Sequence, residues 1–163
     1  MAPVMVFSQS SELSIFDNLV NKAWNAKGKW GDGSQFKQKI NFKYSLNKSI
    51  ILVNTVGFVD KEKTKMGQRN HGIRRFDEKT KTIKFWEFDV FGGLTEGEVF
   101  GEGKNIVYQY IYEGTPLTEM WEYVNDSTYN FKVGIYENSV WTQTYLNTQF
   151  EEAKPSSSNL GVR

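Results

Sequence analysis

Residues 35–46, QFKQKINFKYSL, decide the fold because apolar and polar side chains alternate along them. Successive side chains of a β-strand point to opposite faces, so this alternation predicts a half-buried antiparallel strand. One face carries Phe36, Ile40, Phe42, Tyr44 and Leu46, and the other carries Lys37, Lys39, Asn41 and Lys43. Gln38 interrupts the apolar face. A buried amide there needs a hydrogen-bonding partner from the wall, from water or from a ligand.

The same pattern recurs along the chain, where turn signals separate runs rich in β-branched and aromatic residues. The predicted strands are 24–30, 35–46, 49–59, 69–76, 81–90, 94–101, 104–113, 117–125, 128–136 and 139–150. Almost every connection is hairpin-short, so sequential strands should pair antiparallel, and about ten such strands need closure to avoid long apolar edges. We therefore predict an all-β fold, a single antiparallel up-and-down β-barrel of about ten strands.

One short N-terminal helix is predicted within residues 11–24, SELSIFDNLVNKAW. A serine precedes the segment's polar start, and apolar residues follow at helical spacing. These are Leu13, Phe16, Leu19, Val20 and Ala23. We expect this helix to plug one mouth of the barrel or to pack on its wall.

Composition excludes several classes of partner and cofactor. The chain has 163 residues, with 20 Lys and Arg against 19 Asp and Glu, so no single-signed field is available to hold a nucleic-acid backbone. No stretch approaches the roughly 18 apolar residues of a membrane-spanning helix, so no integral membrane segment is predicted. Because the chain has no cysteine and a single histidine, we predict neither a metal site nor a cofactor.

The two ends differ from the repeating region between them. Residues 1–11, MAPVMVFSQSS, are typical either of a signal-peptide remnant or of a disordered start. Residues 153–163 are polar and serine-rich and are expected to be a disordered tail, which leaves 12–152 as one barrel domain. A signal remnant would place the protein in the periplasm or outside the cell, whereas a plain disordered start would be compatible with the cytoplasm.

Residues 71–93, HGIRRFDEKTKTIKFWEFDVFGG, carry charges among aromatic residues on two neighbouring strands. Strand alternation leaves two orientations open. In the first, His71, Arg75, Glu87 and Asp89 point into the barrel with Ile83 and Phe85. In the second, Arg74, Trp86, Phe88 and Val90 point inward and the acids face water. Inward charges would either form a paired network that fixes strand register or contact the polar head of a ligand.

Hydroxyl-bearing and other aromatic rings extend the candidate lining. Such rings can form an apolar wall and still donate hydrogen bonds, although cross-strand packing explains them equally well. The predicted ligand-binding residues are Gln38, His71, Arg75, Phe85, Glu87, Tyr108, Tyr110, Trp121 and Tyr145. No nucleophile motif or phosphate-binding loop occurs, so catalysis would depend on acid–base chemistry by Glu87 or Asp89, which nothing in the spacing demands.

The segment KAWNAKGKWGDGSQFKQKINF, residues 22–42, resembles the opening of calycin-superfamily barrels. Three later segments resemble strands of uncharacterised bacterial lipocalin-like proteins with the nitrobindin and fatty-acid-binding-protein shape. They are NHGIRRFD at 70–77, FWEFDVFGG at 85–93 and YNFKVGIYENSVW at 129–141. In the superfamily, the tryptophan of a G-x-W element closes the barrel floor. Trp24 fits that role although its glycine is lost, and Trp30 keeps the glycine.

The resemblance implies a lipocalin-like barrel but does not carry a cofactor or an enzyme activity with it. Nitrobindin places its iron-ligating histidine near the C-terminus, and no histidine follows His71 in this chain. Phenolic acid decarboxylases and allene oxide cyclases work with inward Tyr, Arg and Glu side chains, but their motifs do not match here residue by residue. Calycin barrels host many activities, so the likeness favours a fold more than a function.

Three hypotheses about function follow. The first is binding or carriage of a small, mainly apolar molecule with a polar head inside the barrel. The second is a cavity enzyme doing acid–base chemistry on a small hydrophobic compound. The third is a structural or interaction domain whose barrel is filled by its own side chains. Ten strands favour the first, because they leave more lumen than the eight that side chains can fill.

Overall fold

The computed structural model, which describes residues 12–155, is a closed antiparallel barrel of ten strands in up-and-down order. The predicted fold class is therefore confirmed. The strands are β1 (Ala23–Lys29), β2 (Gln35–Ser45), β3 (Ile50–Phe58), β4 (Met66–Asp77), β5 (Thr82–Asp89), β6 (Leu94–Glu102), β7 (Asn105–Tyr112), β8 (Thr115–Asn125), β9 (Thr128–Glu137) and β10 (Val140–Glu152). Each pairs with its sequence neighbours, and β10 returns to β1.

The N-terminal helix is much shorter than predicted. It is a single 3-10 turn, η1, over Glu12–Phe16, and the chain then continues as turns. Asn21 has a left-handed backbone with φ of 60° and donates its N–H to the Phe42 carbonyl, while Val20 forms a parallel bridge with Phe42. Four of the five apolar residues, Leu13, Phe16, Leu19 and Val20, are buried, but they reach the core from an irregular plug instead of from one helix face, and Ala23 begins β1.

Aromatic rings close the barrel at the end where this plug lies. Trp24 is fully buried, and its indole N–H donates to the Leu19 carbonyl at 3.1 Å. Trp121 stacks on Phe150 with ring centroids 4.3 Å apart, and its edge contacts place Trp24 and Tyr129 within the same cluster. Trp24 therefore helps to close this end of the barrel, and the cavity described below lies farther up the barrel.

The seam between β1 and β10 is the shortest strand pairing in the barrel. Only Trp24 and Asn25 pair in register with Glu152 and Glu151, whereas β1 pairs with β2 along its whole length. Single contacts continue the seam: the Thr148 hydroxyl donates to the Lys27 carbonyl at 2.6 Å, and two backbone hydrogen bonds join Gly31 to Tyr145 and Ala153 to Ala23. The β1–β10 pairing therefore closes the barrel with fewer paired residues than the β1–β2 pairing.

Some sequence predictions concern the ends of the chain. β10 ends at Glu152, and the predicted division of the chain into domains stays a prediction. The expectations for residues 1–11 and for 156–163 lie outside the described residues. Within 12–155, no helix has the length and apolar character needed to cross a membrane.

Candidate ligand-binding cavity

The upper part of the barrel encloses a cavity of about 270 Å³. Its two sides differ in chemistry. Strands β2, β3 and β9 contribute mainly apolar side chains, namely Phe36, Ile40, Phe42, Val53, Phe131 and Val133. Strands β4, β5, β7 and β8 contribute the polar side chains, namely Asn70, Arg74, Glu87, Asp89, Tyr108, Tyr110 and Glu119. A ligand bound in this cavity would contact an apolar wall on one side and a charged, hydrogen-bonding wall on the other.

Arg74 is the centre of the polar wall. It is only 5% exposed, and its Nη1 donates to Glu87 Oε2 at 2.8 Å while its Nε donates to the Tyr108 hydroxyl at 3.1 Å. The guanidinium also lies over the rings of Phe85 and Tyr108, at 5.3 and 5.0 Å from their centroids. A buried cation with an ion pair, a hydrogen bond and two ring faces is fixed in one orientation.

Glu119 faces Arg74 and Glu87 across the polar wall. Burial and the negative charge of Glu87 raise the pKa of Glu119 to about 7, and the Arg74 charge and the hydrogen-bonding Tyr110 hydroxyl only partly oppose the shift. Burial likewise raises the pKa of Tyr108 to about 12 and also raises that of Tyr110, so both phenols stay protonated near neutral pH. The wall therefore holds one carboxyl that exchanges its proton near neutrality.

Two glycines make room for this cluster. Gly72 lies on the inner face of β4, where a Cβ atom would collide with Glu87 and with the Arg74 guanidinium. Gly97 lies between Phe85 and Tyr110 in the inner register of β6, where a Cβ would collide with the Gln109 carbonyl. Gly72 thus gives the Arg74–Glu87 pair the space that it occupies, whereas Gly97 allows close approach of the β7 backbone and the Phe85 ring.

Neither predicted orientation of the β4–β5 hairpin is correct as a whole. Glu87, Asp89, Ile83 and Phe85 do point inward, but they share the inner face with Arg74 and Asn70. His71 and Arg75 lie on the outer face, where both are exposed. His71 there accepts or donates a hydrogen bond with Asn54 at 2.9 Å. Neither residue lines the cavity, which corrects their predicted inward placement.

The reason for this correction is the length of the turn between the two strands. Asp77 pairs with Thr82, so four residues, 78–81, form the connection. An even number of turn residues places odd-numbered residues of one strand opposite even-numbered residues of the other, and residues directly opposite point to the same face. Glu87 therefore shares its face with Gly72 and Arg74, not with Arg75.

Asp89, predicted as a candidate acid or base, is committed to the β5–β6 turn. Its Oδ1 accepts hydrogen bonds from the backbone N–H groups of Phe91 at 2.8 Å and of Gly93 at 2.9 Å. A carboxylate that holds a turn in this way is an Asx-type cap. Asp89 still borders the cavity, but its first role is structural.

A bulge in β4 brings another arginine to the mouth of the cavity. Thr55 pairs with Asn70 and Val56 pairs with Gln68, so Arg69 is the extra residue. Its Nη1 donates to the Phe58 carbonyl at 2.7 Å, and its guanidinium lies 5.1 Å from the centroid of the Phe91 ring. A neighbouring depression of about 300 Å³ shares Arg69 and Gln38 with the cavity and includes Phe91, Lys61 and Lys63, which marks this rim as the opening.

Of the remaining predicted site residues, all but one line the cavity. Gln38, Phe85, Tyr108, Tyr110 and Trp121 do so, and Trp121 lies at its lower end, where the aromatic floor begins. Tyr145 does not, because it lies at an irregularity in the β9–β10 register between Thr144 and Leu146, and Leu146 takes the buried position. The prediction of Tyr145 assumed uninterrupted alternation along this strand.

The sequence prediction missed seven polar residues of the cavity: Thr55, Arg69, Asn70, Arg74, Thr95, Tyr112 and Glu119. Glu119 was detectable, since it alternates with Leu117 and Trp121 on one strand face. Arg74 and Asn70 required the parity of the β4–β5 turn. The position of Arg69 depends on the bulge in β4, and the sequence contains no pattern that predicts this bulge. Within residues 12–155, no group of three or more His, Asp or Glu residues could hold a metal ion.

Comparison with models of known protein families gave no match, and no curated protein matched either. The closed ten-stranded barrel is compatible with a calycin-like fold. Function has to be argued from the cavity itself.

Proposed function

We propose that this protein binds or carries a small, mainly apolar molecule with a polar head, inside a lipocalin-like barrel. The observation that carries the proposal is the division of one cavity into an apolar wall and a polar wall with Arg74, Glu87 and Glu119. Pre-formed concave sites with a few convergent polar groups are typical of small-molecule binding. Empty space of about 270 Å³ also speaks against a barrel that its own side chains fill.

The size of the cavity limits the ligand. With interior packing near 0.75 and about 20 Å³ of van der Waals volume per non-hydrogen atom, about 270 Å³ holds roughly ten such atoms. An eight-carbon chain with a small head group fits this space, whereas a long-chain fatty acid would extend through the mouth.

Calorimetric titration with octanol tests the proposal. Octanol has an apolar chain of suitable length and a neutral head that can both donate and accept hydrogen bonds. We expect saturable binding that is weakened at least about tenfold by Thr95→Trp, because the half-buried Thr95 lines the cavity and the larger ring would occupy it.

The matched control is Glu96→Trp, which places the same ring on the exposed outer face of the same strand. Binding should be unchanged in this variant. If octanol does not bind, or if both tryptophan variants weaken binding equally, the proposal is wrong.

Acid–base catalysis in the same cavity is a second candidate, and Glu119 favours it over the predicted Glu87 and Asp89. Glu87 is held by Arg74 and Asp89 by the turn, whereas Glu119 has a pKa of about 7, suited to proton transfer at neutral pH. Native mass spectrometry of freshly purified protein would identify a retained molecule. Its conversion by the unmodified protein but not by Glu119→Gln would support catalysis, and its survival unchanged would contradict it.

Periplasmic or secreted localisation stays a prediction. Fractionation of cells that express the full chain checks it, with recovery in the cytoplasm as the contradicting result.

A further inference from the structure

The charges that border the cavity do not cancel as simple pairs. Three carboxyl groups, those of Glu87, Asp89 and Glu119, border it together with two guanidinium groups, those of Arg69 and Arg74. When all of them are ionised, the site carries one excess negative charge. The identity of the unmatched group decides which ligand head the cavity accepts.

Both arginines already have partners. Arg74 forms an ion pair with Glu87 and donates to Tyr108, and Arg69 donates to the Phe58 carbonyl at the mouth. Arg74, the guanidinium inside the cavity, is therefore not a free anion-binding fork of the kind that recognises a carboxylate, whereas Arg69 at the mouth has no ion-pair partner among the described residues. A fatty acid head entering here would have to compete with Glu87 for Arg74.

The unmatched carboxyl is that of Glu119. Among the described residues, no lysine, arginine or histidine lies within 4.0 Å of it. Asp89, by contrast, has its Oδ1 held by two turn N–H groups. Glu119 therefore forms no ion pair with a described residue, although the Arg74 charge acts on it, and its carboxyl belongs to the wall of the cavity.

Other groups around Glu119 also suit a positively charged donor. The rings of Tyr110 and Trp121 line the same space, and aromatic faces attract cations. Asn70 adds a buried side-chain oxygen that receives no hydrogen bond from any described residue. A buried acceptor without a donor is costly, so a donor supplied by a ligand in the cavity would satisfy it.

We propose that the cavity selects amphiphilic amines, with the ammonium head paired to Glu119 and the apolar body against strands β2, β3 and β9. This inference rests on the proposed function and specifies its ligand class. An amine neutralises the excess charge of the site. A carboxylate adds a second unpaired negative charge in a poorly solvated space and can bind only if Glu119 takes up a proton.

Three ligands with the same octyl chain separate the head-group inference from binding as such. Octylamine, octanol and octanoic acid are titrated by calorimetry into the full chain at about pH 8, where the amine and the acid are both charged. We expect octylamine to bind at least about tenfold more tightly than octanoate, with octanol between them. This ranking uses the unmodified protein and does not depend on whether a variant folds.

Glu119→Gln then tests the partner of the head group. It should weaken octylamine binding at least about tenfold and weaken octanol binding by a clearly smaller factor, whereas Glu96→Gln, on the outer face, should change neither. Tightest binding of octanoate, or octylamine binding that Glu119→Gln leaves unchanged, overturns the amine inference while carriage stands. If none of the three ligands binds, the proposed function fails together with it.

Discussion

Arg74 and Arg75 are adjacent in sequence but differ completely in environment. The Arg74 guanidinium is buried and paired with Glu87, whereas Arg75 is exposed on the outer face. We expect Arg74→Met to lower the free energy of unfolding by about 3–5 kcal/mol, because Glu87 would be left as a buried charge without its partner. Arg75→Met should change it by less than about 0.5 kcal/mol. Urea denaturation of both variants measures the difference.

The double variant Arg74→Met with Glu87→Leu separates the ion pair from packing. Removal of both charges should recover most of the lost stability, since no unpaired charge then remains inside. Equal losses in Arg74→Met and Arg75→Met would contradict the inner position of Arg74.

Glu119 gives the stability of the protein a pH dependence of known sign. Its pKa rises from 4.5 to about 7 on folding, so between these values the folded state binds more protons than the unfolded state. Its contribution to stability is fully present below about pH 4.5 and is lost as the pH rises to about 7. Compared with Glu119→Gln, the unmodified protein should lose roughly 2–3 kcal/mol over this interval. Parallel pH profiles of the two proteins would contradict the shift.

The inner or outer position of single charged residues could be predicted only in part. Glu87 and Phe85 were predicted inward, and they are, because alternation within one strand is a local property. Arg74 was exchanged for Arg75 because the pairing across the turn decides which residues of two strands share a face, and the prediction grouped residues by alternation within each strand alone. Tyr145 was misplaced because a bulge leaves no reliable mark in the residue pattern.

At the scale of single elements, the β4–β5 turn has a backbone that its sequence does not favour. Lys81 has φ of 57°, a left-handed conformation that costs most residues about 1 kcal/mol relative to glycine. We expect Lys81→Gly to stabilise the protein by about 0.5–1 kcal/mol, since its ion pair with Glu78 is largely exposed and contributes little. Thermal unfolding monitored by circular dichroism measures the change.

Lys79→Gly is the control in the same turn. Lys79 is not among the residues with positive φ, so glycine should destabilise the protein there by increasing the freedom of the unfolded chain. Equal effects of the two glycines would show that the left-handed backbone of Lys81 has no cost.

The strands could be predicted closely, whereas the helix could not. Nine of the ten predicted strands begin and end within two residues of the observed limits, because a period of two along a half-buried sheet is a strong signal. β4 starts three residues earlier than predicted, since Met66 and Gly67 still pair with β3. The residues before β1 show helical spacing, but the same spacing also suits side chains that point down into a barrel end from irregular backbone.

At the scale of the whole molecule, the short β1–β10 pairing should be the weakest line around the barrel. Only two residue pairs are in register there, against seven between β1 and β2. We expect amide hydrogens along this seam to exchange faster than those between β8 and β9, because local opening needs fewer broken hydrogen bonds. Hydrogen exchange followed by NMR measures this. Equal protection around the whole barrel would contradict it.

The closeness of β1 and β10 at this seam also means that the strands could be connected in a different order along the chain. Since the first and last strands are spatial neighbours, with Ala153 donating its N–H to the Ala23 carbonyl, a linker could join these two strands without crossing the barrel. New termini cut at an exposed hairpin such as 78–81 would leave every strand beside its old neighbours. A circularly permuted chain of this kind should fold to the same barrel, because it keeps every strand pairing and encloses the same cavity.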